Sequence, residues 1–104
     1  MIKIEDVTGI GEVFEISEKI DDKERKIYKV SNNDGKVFLV INKNTFEVRT
    51  DSELRKLLTE KYESVMESRY FGRGGIEVVD SGQLKNDEIC DLVRLSYNMS
   101  KEAE

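Results

Sequence analysis

Apolar positions along this chain fall first into a two-residue rhythm and later, twice, into a helical one. In residues 12–20, EVFEISEKI, Phe14, Ile16 and Ile20 share one side of an alternation, which predicts a strand. Residues 21–25, DDKER, read as a polar turn, and 26–31 alternate again with Tyr28 and Val30 on one face. Asn32-Asn33-Asp34-Gly35 gathers residue types that tolerate positive φ, so it predicts a tight hairpin turn. VFLVI (37–41) is apolar at every position, as in a strand covered on both faces or central in its sheet. After a second turn at Asn42-Lys43-Asn44, Phe46 and Val48 alternate with Glu47 and Arg49, the pattern of a strand with one wet face.

The period changes at Thr50. Thr50 and Glu53 stand at capping-box spacing. Leu54, Leu57, Leu58 and Tyr62 then follow helical spacing, so a helix is expected to end near Ser64. Residues 65–71 and 76–79 read as extended segments flanking Gly72-Arg73-Gly74-Gly75, which resembles a hairpin tip. Asp80-Ser81-Gly82 predicts another turn. Asn86 or Asp87 can cap a last helix whose stripe is Ile89, Leu92, Val93 and Tyr97, and the tail KEAE (101–104) is expected to fray. Hairpin-linked strands and two helices with single apolar stripes give an α+β fold: an antiparallel sheet of about five strands with two helices packed on it.

At 104 residues this is one domain's worth of chain, with no repeat or linker to divide it. Seventeen basic residues against 22 acidic leave a net charge of −5, which repels polyanions overall but permits a local basic patch. The lack of histidine excludes a His-based triad and removes the commonest metal ligand. The single cysteine, Cys90, cannot form an internal disulfide or a Cys-rich zinc site. No metal or cofactor motif is present, and the chain is expected not to be an enzyme. With no apolar run long enough to span a bilayer and no basic-then-apolar leader, the expectation is a cytoplasmic protein without a membrane partner.

Three stretches together resemble the MmcQ/YjbR family of small bacterial proteins. They are KIYKV followed by DGKVFLVI within 26–41, FEVRTDSELRKLLTEKYESV (46–65), and SRYFGRGGIEVVDSGQL with DEICDLVRLSYNMS within 68–100. The last matches the family's hairpin, its G-x-L turn and its final helix ending in Ser-Tyr. The resemblance covers about 27–100, within a single domain spanning 1–104. It implies a compact α+β domain shaped like secretion chaperones, and family members are often described as DNA-binding. Three features differ from the family pattern. Residues 1–25 show neither its opening helix nor its Pro-Gly element, Ile76 stands where a tryptophan is usual, and Gly72-Arg73-Gly74-Gly75 replaces an Asn-Lys tip.

The strongest candidate site is that tip: Arg69, Tyr70 and Arg73 with Gly72, Gly74 and Gly75. Arginine binds phosphate bidentately and glycine lets a backbone approach it closely, while Ser68 to Ile76 holds two basic residues and no acidic one. Tyr70 and Phe71 are the rings left over for stacking, since Phe38 and Tyr62 fall on core-facing patterns. A second basic cluster, Lys23, Arg25, Lys26 and Lys29, is diluted by Asp21, Asp22 and Glu24 and reads as a solvated turn. Cys90 reads as structural, and Asp80, Asp87, Glu88 and Asp91 as helix-terminal and surface charge. These observations predict a non-enzymatic binding module that contacts DNA through the basic Gly-rich tip. The alternative is a chaperone-like module for a protein or peptide partner, as monomer or homodimer.

Overall fold

The structure, a computed structural model, describes residues 13–20, 23–30, 36–79 and 82–102. Six strands form one sheet: β1 (Phe14–Ile20), β2 (Lys23–Lys29), β3 (Val37–Ile41), β4 (Thr45–Arg49), β5 (Val65–Ser68) and β6 (Gly72–Val79). Their order is β1-β2-β3-β4-β6-β5, and every neighbouring pair is antiparallel. Helix α1 (Ser52–Lys61) joins β4 to β5 and lies on β5 and β6. Helix α2 (Asn86–Glu102) follows β6 and lies on β3 and β4. The fold is α+β as expected, with one strand more than the sequence pattern suggested.

Strand register decides which side chains meet the helices. Tyr28, Leu39, Val48 and Ile76 stand in one row across the sheet, with Ile41, Phe46, Val78 and Val65 in a row two residues along. Both rows face the helices and form the core with Ile89, Leu92, Val93 and Tyr97 of α2. Each such side chain, fully buried, contributes about 1.5–3 kcal/mol. The intervening row is Ile16, Ile27, Val40, Glu47, Glu77 and Met66. It points to the opposite face, which neither helix covers. β1 therefore turns the apolar side of its alternation away from the helices.

A β-bulge in β3 fixes how α2 seats. Tyr28 pairs with Leu39 but Lys29 pairs with Val37, so Phe38 is the extra residue. Its ring meets Tyr97 edge-on at 5.2 Å between centroids. The bulge also interrupts the β3–β4 ladder beyond Leu39 and Val48. Ser96 fills the break: its hydroxyl accepts from the Arg49 backbone N–H at 2.7 Å and donates to the Phe38 carbonyl at 2.6 Å. One turn on, Ser100 donates to the Val37 carbonyl at 3.3 Å.

Several boundaries differ from the sequence pattern. Lys23–Arg25 belong to β2 rather than to a turn. The α1 cap is Asp51, whose carboxylate accepts from the Leu54 N–H at 2.7 Å and also favours the positive helix end. Thr50 is instead buried, with its hydroxyl unpartnered. α1 stops at Lys61, three residues early, because Tyr62 is already extended. Leu54, Leu58 and Tyr62 pack on the core, whereas Leu57 falls outside the stripe and is 58% exposed. α2 begins at Asn86, with Lys85 preceding it; the Glu88 carboxylate reaches back to accept from the Lys85 N–H at 3.2 Å. Gly72-Arg73-Gly74-Gly75 is the first half of β6, not a hairpin tip. The turn at 32–35, Asp80 and Ser81 of the next turn, and residues 103–104 lie outside the described residues.

Ser96→Ala leaves the Arg49 N–H and the Phe38 carbonyl without their bridging partner. The expected loss is about 1–3 kcal/mol of stability, read from urea unfolding midpoints, with the fold retained.

Candidate binding site on the helix-free face

Glu47 on β4 and Glu77 on β6 are cross-strand partners on the face opposite α1 and α2, and both are buried. A buried carboxylate persists only if donors surround it. Glu47 Oε1 accepts from the Ser68 hydroxyl at 2.7 Å and the Tyr70 backbone N–H at 2.9 Å, and its Oε2 accepts from the Asn42 amide at 3.0 Å. Glu77 accepts from Arg69 Nε at 2.8 Å on Oε1, and from Arg69 Nη2 at 2.7 Å and the Thr45 hydroxyl at 2.8 Å on Oε2. Burial alone would raise the Glu77 carboxyl, but the hydrogen bonds from Arg69 and Thr45 and the Arg69 charge hold it below the ordinary value. Hydrogen bonding to Glu77 raises the Arg69 guanidinium. All four carboxylate oxygens accept from internal donors, the arrangement of an anchor.

The anchored segment is the β5–β6 connection, which folds back over the sheet. Ser68 Oγ accepts from the N–H groups of Tyr70 and Phe71 at 3.1 and 2.8 Å, tightening the turn. Gly72 takes φ +61°, which favours glycine. At Gly75 a Cβ would meet the Val48 carbonyl oxygen and approach the Phe71 Cβ to 2.8 Å, so only glycine lets Phe71 lie on β6. Two of the tip glycines therefore serve the turn and the seating of a ring. Gly74 has only ordinary contact with the Phe71 carbonyl, to which its own N–H donates at 3.1 Å.

The rings and cations that surround this turn form a ladder. Arg25 lies 5.2 Å over Tyr70, Tyr70 meets Phe71 edge-on at 5.0 Å, and Arg49 lies 4.9 Å over Phe71. Burial lowers the Arg49 guanidinium, whose Nε also donates to the Val37 carbonyl at 2.7 Å. Of the residues singled out from sequence, Arg69 is spent on Glu77: the arginine side chain is 77% exposed but its fork closes on a carboxylate only 3% exposed. Tyr70 is exposed at the rim of the ladder, and Arg73 is exposed on β6. Sequence reasoning missed Glu47, Glu77, Arg25 and Arg49. Alternation placed Glu47 on a wet face, and it gives no sign that a later turn will close over that face.

Elsewhere the structure gives smaller roles. Arg25 pairs with Glu18 at 2.6 Å and Lys26 with Glu15 at 3.7 Å, so these two cations sit on a strand with partners. Asp91 meets Arg94 at 3.8 Å, and Cys90 is half-buried on α2. Among the described residues, no group of three or more acidic or cysteine side chains could hold a metal ion. Nor, among those residues, is any helix long and apolar enough to cross a membrane. Comparison of the chain with protein-family models, curated proteins and solved structures gave no match.

A carboxyl held below its ordinary value stabilises the fold above that ordinary value, and the contribution is lost as pH falls through the depressed one. Glu77→Gln is expected to cost about 1–3 kcal/mol at neutral pH and to flatten the acid limb of the stability profile. Urea unfolding from neutral into acid pH checks both; a mutant profile parallel to the parent's would show that Glu77 carries no such linkage.

Proposed function

We propose that this chain is a binding module that takes a protein or peptide segment on the helix-free face of its sheet. The observation that carries this reading is Ile16, which is 45% exposed on that face at the end of a row whose Ile27 and Val40 are buried. Exposed Met66 and Tyr70 flank the same face. Tyrosine, methionine and arginine are the types enriched at protein interfaces, and tyrosine and arginine dominate binding hot spots. Among the described side chains, alternation and the turn place Arg25, Lys29, Arg49, Arg69 and Arg73 on this face, against Glu18, Glu47 and Glu77. On a chain of net charge −5, this is the basic side. It fits a segment that combines apolar side chains with carboxylates.

A second reading, single-stranded nucleic acid, is favoured by the Arg25–Tyr70–Phe71–Arg49 ladder with Arg73 beyond it. Exposed rings among arginines support stacking and phosphate contact. With Arg69 committed to Glu77, DNA contact would pass to Arg73, Arg49 and Arg25.

Peptides selected from a random displayed library on the immobilised protein test the first reading. Tyr70→Ala and Ile16→Lys should each weaken the selected peptides about tenfold or more, a loss of ~1.4 kcal/mol. Leu57→Ala, on the helix layer, should leave them unchanged. Peptides indifferent to both face substitutions would place the interface elsewhere. Anisotropy titration with labelled single-stranded and duplex DNA, at low and physiological salt, tests the second. Binding that weakens steeply with salt and disappears in Arg73→Glu would favour nucleic acid over a peptide.

A further inference from the structure

β1 ends the sheet and pairs only with β2 among the described strands, so its outer edge can accept another strand. Its seven residues, FEISEKI, match their own reverse at the charged pair and at the two ends. An antiparallel copy related by a twofold axis through Ser17 sets Glu15 opposite Lys19 and Phe14 opposite Ile20, with Ile16 opposite Glu18 as the one unmatched pair. Symmetry makes each of these pairs occur twice. Directly opposed unlike charges and apolar pairs stabilise antiparallel neighbours. Ile16, left exposed at the end of the apolar row, then lies diagonal to its own copy. The two faces stay continuous across the junction only if paired residues are both odd or both even in number. The neighbouring registers of that kind set Glu15 opposite Ser17, or Lys19 opposite Ser17, and so lose the matched charges.

We propose that β1 pairs with β1 of a second copy of this chain, joining two six-stranded sheets into one with Ser17 on the twofold axis. The contact is isologous: the same strand serves both sides and the assembly closes as a dimer. It does not rest on the partner reading above, and Tyr70→Ala, remote in sequence from β1, separates the two.

Sedimentation equilibrium of the full chain should give twice the chain mass. Glu15→Lys and Lys19→Glu each set like charges opposite one another and should each weaken the dimer about tenfold or more. The double exchange should restore it, although Glu15→Lys also loses its 3.7 Å contact with Lys26 and its hydrogen bond with Tyr28 inside one copy, losses the second change does not repair. In a Cys90→Ser background, Ser17→Cys should oxidise to a disulfide-linked dimer, since opposed antiparallel Cα atoms lie about 4.5–5.5 Å apart, within disulfide reach. Glu15→Cys and Lys19→Cys should cross-link when mixed but not alone. A monomer at every concentration would overturn the proposal. So would cross-linking of Glu15→Cys to itself, which marks a different register.

Discussion

Two carboxylates buried side by side set the terms for half of this molecule. Glu47 and Glu77 are neighbours on adjacent strands, and like charges that close are tolerated only when donors answer both. One guanidinium, from Arg69, answers Glu77; neutral donors from Asn42, Ser68 and the Tyr70 backbone answer Glu47, and Thr45 adds a second donor to Glu77. Ser68 at the end of β5 and Arg69 and Tyr70 just after it are three of those five donor residues, so the β5–β6 connection must lie on the sheet. Its rings follow: Phe71 settles on Gly75 and beneath Arg49, and Tyr70 reaches beneath Arg25. A connection that looks like a basic tip in the sequence thus becomes the cap of an acidic pair.

The opposite face obeys a different constraint. A bulge at Phe38 turns an extra ring toward α2 and leaves two backbone groups that only Ser96 reaches. Ser96 and Tyr97 are the adjacent pair that seats α2, one by hydrogen bonds and one by ring contact. With α2 over β3 and β4 and α1 over β5 and β6, neither of these described helices lies on β1 and β2. The apolar side of β1 faces away from the helix layer, and Ile16 is exposed there.

The long apolar and alternating stretches were legible in the sequence because their signal is local. VFLVI reads as a central strand and is one, and Ile89, Leu92, Val93 and Tyr97 read as a helix stripe and are all buried. The candidate site was legible only in part. Tyr70 and Arg73 are exposed as the pattern suggested, but Arg69 meets a partner eight residues away on the next strand. Glu47 meets donors more than twenty residues away. Such pairings depend on strand order, and alternation carries no information about strand order. Leu57 failed for a simpler reason: helical spacing admits it to the stripe, while the rotation of α1 on β5 and β6 leaves it outside. Thr50 lost the cap to Asp51 because a charged acceptor at the helix end is the stronger of two adjacent candidates.

The buried carboxylates hold the β5–β6 connection on the sheet. Amide hydrogen exchange at Tyr70 and Phe71 tests it most directly, because their N–H groups donate to Glu47 and to Ser68, a partner of Glu47. Both amides are expected to be protected in the parent protein and to exchange markedly faster in Glu47→Gln, while amides of α2 keep their protection. Fast exchange of both amides in the parent, at the rate of an open turn, would contradict it.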